Sequence, residues 1–398
     1  MSRESRELRE QRIAKERAIE RASYEASKGP MDMPFLILVL LLTGIGLVMV
    51  LSASFPSAYY DTGDPLYFFK QQVMFAVLGL AFMLWIGKWN YARFRAFSRI
   101  AIIVSFALLI AVFIPGVGHT HEGATRWIKL GSFGTFQPSE VVKLAIVIYF
   151  ADTISKKKDK MATFRYGIRP YIVPMGAIAI LMMLEPHFSG TVLILGIGAV
   201  MMFVGGIQLK WVWAGLGAIA TVAVGFLTGI IKYNSSRITI WLDPFNEEYA
   251  LNKGYQMIQS LLSIGSGGLL GVGLGKSRQK FLFLPEEHND FIFAIVCEEL
   301  GLIGATLIML LYAALILRGY WIALRARDRF GSLLAVGVTT QIALQTFLNI
   351  AVVSGLIPNT GISLPFFSYG GTALFLQLVG MGIVLSVSRQ IPAPRSGG

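Results

Sequence analysis

"PFLILVLLLTGIGLVMVLSAS", residues 34–54, runs for 21 positions without a charged side chain. At ~1.5 Å of rise per residue, such a run makes a helix about as long as the ~30 Å hydrocarbon core of a bilayer. Runs of this kind recur along nearly the whole chain of 398 residues, which is 55% apolar and only 15% charged, where a soluble domain carries about 25% charged residues. Mean hydropathy is +0.62. The spacing predicts an all-α polytopic membrane protein with about ten spans, near 34–54, 69–87, 98–115, 138–154, 170–185, 188–205, 210–231, 291–317, 332–356 and 366–388.

The short basic links orient these spans. "KWNYARFRAFSR" (88–99), "SKKKDKMATFRYGIR" (155–169) and "RGYWIALRARDRF" (318–330) all fall on one side, together with the basic N-terminal tail. The positive-inside rule makes that side, and both termini, cytoplasmic. The same rule accounts for the net charge of +12 without invoking nucleic acid. A single Cys excludes an intramolecular disulfide, and four scattered His make no zinc-type cluster. No cleavable signal peptide is expected, because the first apolar run follows some thirty polar residues and is long enough to span. The tail, "SRESRELREQRIAKERAIERA", mixes both signs and fits either a charged surface helix or a solvated segment. The chain therefore divides into a polar tail (1–33), a membrane domain (34–389) and a short cytoplasmic end (390–398).

Two outer loops, 116–137 and 232–290, carry Lys and Arg against the topological bias. The larger is apolar and Gly-rich in its middle, which suggests interfacial or re-entrant helices. Its "GVGLGKS" is not a phosphate loop, since the required first Gly falls on Leu270. Lys276, Arg278 and Lys280, with Arg126 and Lys129 of the other loop, suit phosphate oxygens. A basic interfacial loop touching lipid headgroups explains them as well. Arg237, His288, Ser368 and Tyr369 complete the candidate substrate-binding residues on this side.

"FLPEEHNDFIFAIVCEELG" (283–301) places Asp290 at the head of a spanning run, where a carboxylate is costly. It can cap the helix or act chemically, and Asn289 is equally able to cap. Glu298 and Glu299, ~12–14 Å further along the helix, are expected to be buried and paired. Glu140 and Lys143, at i and i+3 in "QPSEVVKLAIVIYFA", are expected to pair on one face. Gln341, Gln345 and Asn349 form a polar stripe suited to interhelical hydrogen bonds. "GISLPFFSYGG" (361–371) fits a re-entry turn or part of a substrate groove. Cys297 reads as a packed helix residue.

In order, "GATRWIKLG", "QPSEVVKLA", "GYQMIQSLLSIGSGGLLGVGLGKSRQK", "FLPEEHNDFIFAIVCEELG" and "GISLPFFSYGG" resemble the SEDS family (shape, elongation, division and sporulation), which includes FtsW, RodA and SpoVE. The likeness covers about 34–389 and looks more like the division and sporulation types than the elongation type. It implies a glycosyltransferase that polymerises lipid II into peptidoglycan on the outer face of the cytoplasmic membrane. The implied partners are a class B penicillin-binding protein and other divisome or sporulation membrane proteins. The family's essential acid maps onto Asp290, and its Glu/Lys pair onto Glu140 and Lys143. One departure stands out: where the family often has Gln-Pro-Asp, this chain reads "EPHFSGT", with His187 at the Asp position and Glu185 two residues earlier.

The expected chemistry is attack of an acceptor hydroxyl on the anomeric carbon of a polyprenyl-diphosphate-linked donor, with inversion and Asp290 as general base. Partial burial is expected to strengthen that base. The leaving diphosphate needs cations, from the loop Lys and Arg residues or from a divalent metal such as Mg or Mn; no other cofactor is implied. A flippase for lipid-linked precursors, or a non-catalytic scaffold recruiting a synthase, are the competing readings. The crowding of motifs on the outer side argues for the enzyme, since alternating access predicts a site near the midplane.

Overall fold

The computed structural model describes residues 29–121, 124–129, 131, 134–227, 235–246 and 254–391. The rest, including most of the polar tail and residues 392–398, lie outside the described residues. Seven helices come first: α1 (Met33–Thr62), α2 (Tyr67–Gly87), α3 (Phe94–Ala111), α4 (Pro138–Lys157), α5 (Arg169–Leu184), α6 (Phe188–Val204) and α7 (Leu209–Leu227). Two shorter helices, α8 (Ser235–Leu242) and α9 (Tyr255–Gly267), belong to the large loop. Then come α10 (Ile292–Arg325), α11 (Arg329–Val353) and α12 (Gly371–Ser388). The protein is an all-α polytopic membrane protein, and each predicted span has a helix within a few residues of its centre. Seven of the helices are long and apolar enough by themselves to cross a bilayer.

Helix α4 misses that criterion for a physical reason. It packs against α3, α6 and α11, so its Glu140, Lys143 and Asp152 are buried against protein rather than lipid. Asp152 accepts from Ser98 Oγ at 2.9 Å and from Lys156 Nζ at 2.7 Å. The segments just before α1 and just after α12 meet at one end of the bundle, where Gly29 N–H donates to Arg389 O at 2.8 Å and Asp32 N–H to Ser388 Oγ at 3.1 Å.

At the other end the loop after α3 departs from the all-helical expectation. It forms a small antiparallel sheet, β1 (Gly118–His121), β2 (Ala124–Lys129) and β3 (Thr135–Phe136), in that order. Strand β2 carries Arg126 and Trp127 across the mouth of the bundle.

Helix α10 is not continuous. At Gly301 the backbone turns to φ 66°, ψ −171°, a conformation open to glycine. A Cβ there would lie 2.2 Å from Gly271 N. The groups freed by the break are taken up by a re-entrant turn after α9. Val272 and Gly273 N–H donate to the carbonyls of Glu298 and Glu299, both at 3.0 Å, while Leu302 and Ile303 N–H donate to Gly268 O and Leu269 O at 2.9 and 3.1 Å. An interrupted helix in a membrane is tolerated only when its backbone is satisfied in this way.

Glu298 and Glu299 are buried and paired, as their depth required. Glu298 accepts from Ser277 Oγ and from Arg278 N–H at 2.9 Å. Glu299 accepts from Lys280 Nζ at 3.0 Å and Ser52 Oγ at 2.7 Å.

Candidate functional site

The chain approaches α10 through a turn at Glu286, which adopts φ 57°. Three successive carbonyls at its end each receive a bond from a different part of the molecule. Tyr369 N–H donates to His288 O at 2.8 Å, Ser368 Oγ to Asn289 O at 2.7 Å, and Asn349 Nδ2 to Asp290 O at 2.7 Å. Asn349 Nδ2 also donates to Ile362 O at 2.6 Å. In the polar stripe on α11, Asn349 thus serves two loop carbonyls rather than a neighbouring helix. Asp290 is held by its backbone, half-buried, with its carboxylate beside Gly361 (φ 65°), where a Cβ would stand 3.1 Å from Oδ2.

The N-cap position of α10 falls on neither Asn289 nor Asp290. Phe291 occupies the N-cap without a side-chain bond, and the Asn289 amide instead donates to the Glu286 carboxylate.

Asp290 lines a cavity of about 570 Å³ at the end of the bundle away from the contact of Gly29 with Arg389, within the size range of ligand sites. Of the residues singled out in the sequence, Arg126, Glu140, Lys143, Arg237, Asp290, Ser368 and Tyr369 line it together. Lys143 Nζ and Glu140 Oε1 lie 2.7 Å apart, with both side chains buried. Arg126 donates through Nε to Glu185 O at 3.2 Å and also to Pro186 O. Arg237 on α8 donates to Asn359 O at 3.0 Å. Tyr369 Oη donates to Gln71 Oε1 at 2.5 Å, and burial, followed by the neighbouring Tyr67, pushes its phenol up to about 12.

The other candidates do not line the cavity. Lys280 is buried in its ion pair with Glu299, and Lys276 and Arg278 are exposed on the same re-entrant turn. They are neighbours of Asp290 in the chain, but the turn carries them down beside the break in α10. Lys129 is exposed at the end of β2. His288 stacks on Phe68, with ring centroids 4.6 Å apart, and its Nδ1 lies 3.3 Å from Glu287 Oε1.

The structure adds lining residues that sequence reasoning did not assign to a site, among them Gln71, Gln137, Trp127, Gln345 and Asn359. Gln137 opens a quoted motif and Gln345 belongs to the polar stripe, but only the fold gathers them with Gln71, Trp127 and Asn359. It also places the departure motif here. Burial raises the Glu185 carboxyl to about 8 against the opposing pull of Arg126. Burial, with Arg126 and Lys143 adding to it, lowers the His187 imidazole to about 3.

Among the described residues no three His, Cys, Asp or Glu side chains converge to hold a metal ion. Glu140 is paired with Lys143, and Glu286 is bonded to Asn289. A protein-built metal cage does not fit this site, and the Lys and Arg residues that line it are Arg126, Lys143 and Arg237.

A sequence model of the family described as "Cell cycle protein", spanning FtsW, RodA and SpoVE, matches residues 33–392. Stage V sporulation protein E of Bacillus subtilis is 43% identical over 361 residues, 90% of this chain and 97% of that protein. A probable peptidoglycan glycosyltransferase FtsW of Geobacter sulfurreducens is 40% identical, over 90% of this chain and 95% of its own. Among solved structures, a chain of a peptidoglycan synthase complex superposes with a TM-score of 0.75 at 26% identity, covering 90% of this chain and 98% of that one. Rod shape determining protein RodA of Thermus thermophilus does so with a TM-score of 0.66 at 26% identity, covering 91% and 97%.

Proposed function

The chain belongs to the FtsW, RodA and SpoVE family of cell cycle proteins, and from that premise we propose that it is a peptidoglycan glycosyltransferase polymerising lipid II, with Asp290 as general base. The observation that carries the site assignment is the backbone-clamped carboxylate facing a cavity that also holds Arg126, Lys143 and Arg237. In the transfer, the acceptor 4-hydroxyl forms a bond to the donor's anomeric carbon while the bond from that carbon to the diphosphate oxygen breaks. The diphosphate leaves with the electron pair, and the hydroxyl proton passes to Asp290. The cations lower the energy of the developing negative charge at the leaving oxygen.

We assign this cavity to the outer face of the cytoplasmic membrane; the distribution of basic links supports that orientation. Lipid tails then stay in the bilayer while sugars react at the interface. A class B penicillin-binding protein is the partner we assign. Support comes from the fold shared with a chain of a peptidoglycan synthase complex.

The test uses the full chain, purified with its partner and supplied with lipid II in the presence of penicillin to block crosslinking. Glycan strands from the wild type, and none from D290N, are expected. Lipid translocation in vesicles without chain growth points to the flippase, and neither activity points to the scaffold.

A further inference from the structure

One corner of the cavity differs in chemistry from the rest. His187, at the N-cap of α6, is only 7% exposed yet lines the cavity. Its seat is built from several sides. The backbone N–H donates to Met182 O at 2.8 Å and the carbonyl accepts from Thr191 N–H at 3.2 Å. The ring lies over Gly190, where a Cβ would stand 2.6 Å from Cε1 and 2.7 Å from Nε2. Nε2 lies 3.5 Å from the Gln137 amide nitrogen, while buried Nδ1 makes no hydrogen bond among the described residues. Gln137, Trp127 and Phe188 line the same cavity.

A neutral imidazole offers one donor and one acceptor. A phosphate oxygen only accepts, so it meets repulsion from the imidazole nitrogen that carries the lone pair. A hydroxyl can satisfy either nitrogen, and an amide group satisfies both kinds of partner. The cationic groups Lys143 and Arg126 stand close enough to this ring to oppose its protonation, and they are the natural phosphate ligands of the cavity.

We infer that His187, supported by Gln137, is a specificity-determining residue that hydrogen-bonds an uncharged polar group of the substrate's glycan portion, a sugar hydroxyl or N-acetyl amide. This rests on the glycosyltransferase reading and assigns one end of that substrate to one corner of the cavity.

The experiment compares wild type, H187A and H187Q in the full chain with its partner. It measures KM and kcat for lipid II, direct binding of lipid II, direct binding of a polyprenyl diphosphate lacking sugars, and melting temperature. Loss of one neutral hydrogen bond is expected to raise KM, and weaken lipid II binding, roughly three- to tenfold in H187A. Binding of the sugarless diphosphate should stay unchanged, and H187Q, which keeps a neutral donor and acceptor, should recover most of the loss. Parallel weakening for the sugarless lipid would overturn the assignment by placing His187 on the phosphates. Unchanged lipid II binding with a lowered melting temperature would also overturn it, by making the residue structural. A wild type that binds lipid II but makes no glycan refutes the enzymatic reading instead, and the binding comparison still decides the role of His187.

Discussion

Asn349 donates its side-chain amide to the backbone carbonyl of Asp290 at 2.7 Å, so a buried residue of α11 sets the position of a carboxylate at the head of α10. The same nitrogen reaches Ile362 O at 2.6 Å, which ties in the loop that faces Asp290. Replacing Asn349 by Ala leaves two carbonyls without this donor, each at a cost of about 1–3 kcal/mol where water cannot reach. N349A should lower the melting temperature and reduce kcat more than tenfold with lipid II. N349D, which substitutes an acceptor for the donor, should be worse on both measures.

Removing the base itself should separate chemistry from folding. The three carbonyl contacts of residues 288–290 involve backbone only on the acceptor side. D290N should therefore melt within a few degrees of wild type while losing about 10²- to 10⁴-fold in polymerisation rate, the range of a general base. A D290N protein polymerising at the wild-type rate would remove Asp290 from the mechanism.

The Glu140–Lys143 pair should behave as a buried ion pair. Breaking it from one side leaves an uncompensated charge, at a cost of about 3–5 kcal/mol. K143M and E140Q should each destabilise strongly by thermal unfolding in detergent. The double replacement E140L/K143L should be milder in stability yet inactive, because the cavity has then lost its buried cation.

Glu185 gives a pH dependence of defined sign. Its carboxyl is raised to about 8 by burial, above the ordinary glutamate value of 4.5 that describes the unfolded chain. Between those values the folded state holds the proton and the unfolded state does not, so stability falls as pH rises through this window. Below it the group is neutral in both states, and above it charged in both, so the trend flattens at either end. Melting temperature should decline from pH 5 to pH 8 in wild type and decline less in E185Q. Equal slopes in the two proteins would remove Glu185 as the cause.

Much of the architecture was legible because a bilayer imposes a length and an apolar composition on each span. Glu140, Lys143 and Asp290 were legible for the complementary reason: charge at such depth needs a purpose or a partner. Hydropathy is blind to dihedral angles, so the break at Gly301 stayed hidden, and with it the descent of Lys276, Arg278 and Lys280 away from Asp290. The sheet at 118–136 was hidden too, since its strands are short and mixed in polarity. His187 drew notice only as a departure from a pattern. Its burial over Gly190 and its nearness to Gln137 depend on two helices and a loop meeting.

The interrupted α10 also constrains the order in which the protein is assembled. Val272 leaves the ribosome 26 residues ahead of Glu298 (272 to 298), yet its amide finds its acceptor only on that later residue. Until then the turn has no backbone partner in hydrocarbon, where an unmet amide costs several kcal/mol. The turn and the first half of α10 therefore satisfy each other's backbone only when both are in place. Asp290 heads that half-helix, so the placement of its carboxylate depends on the same pairing.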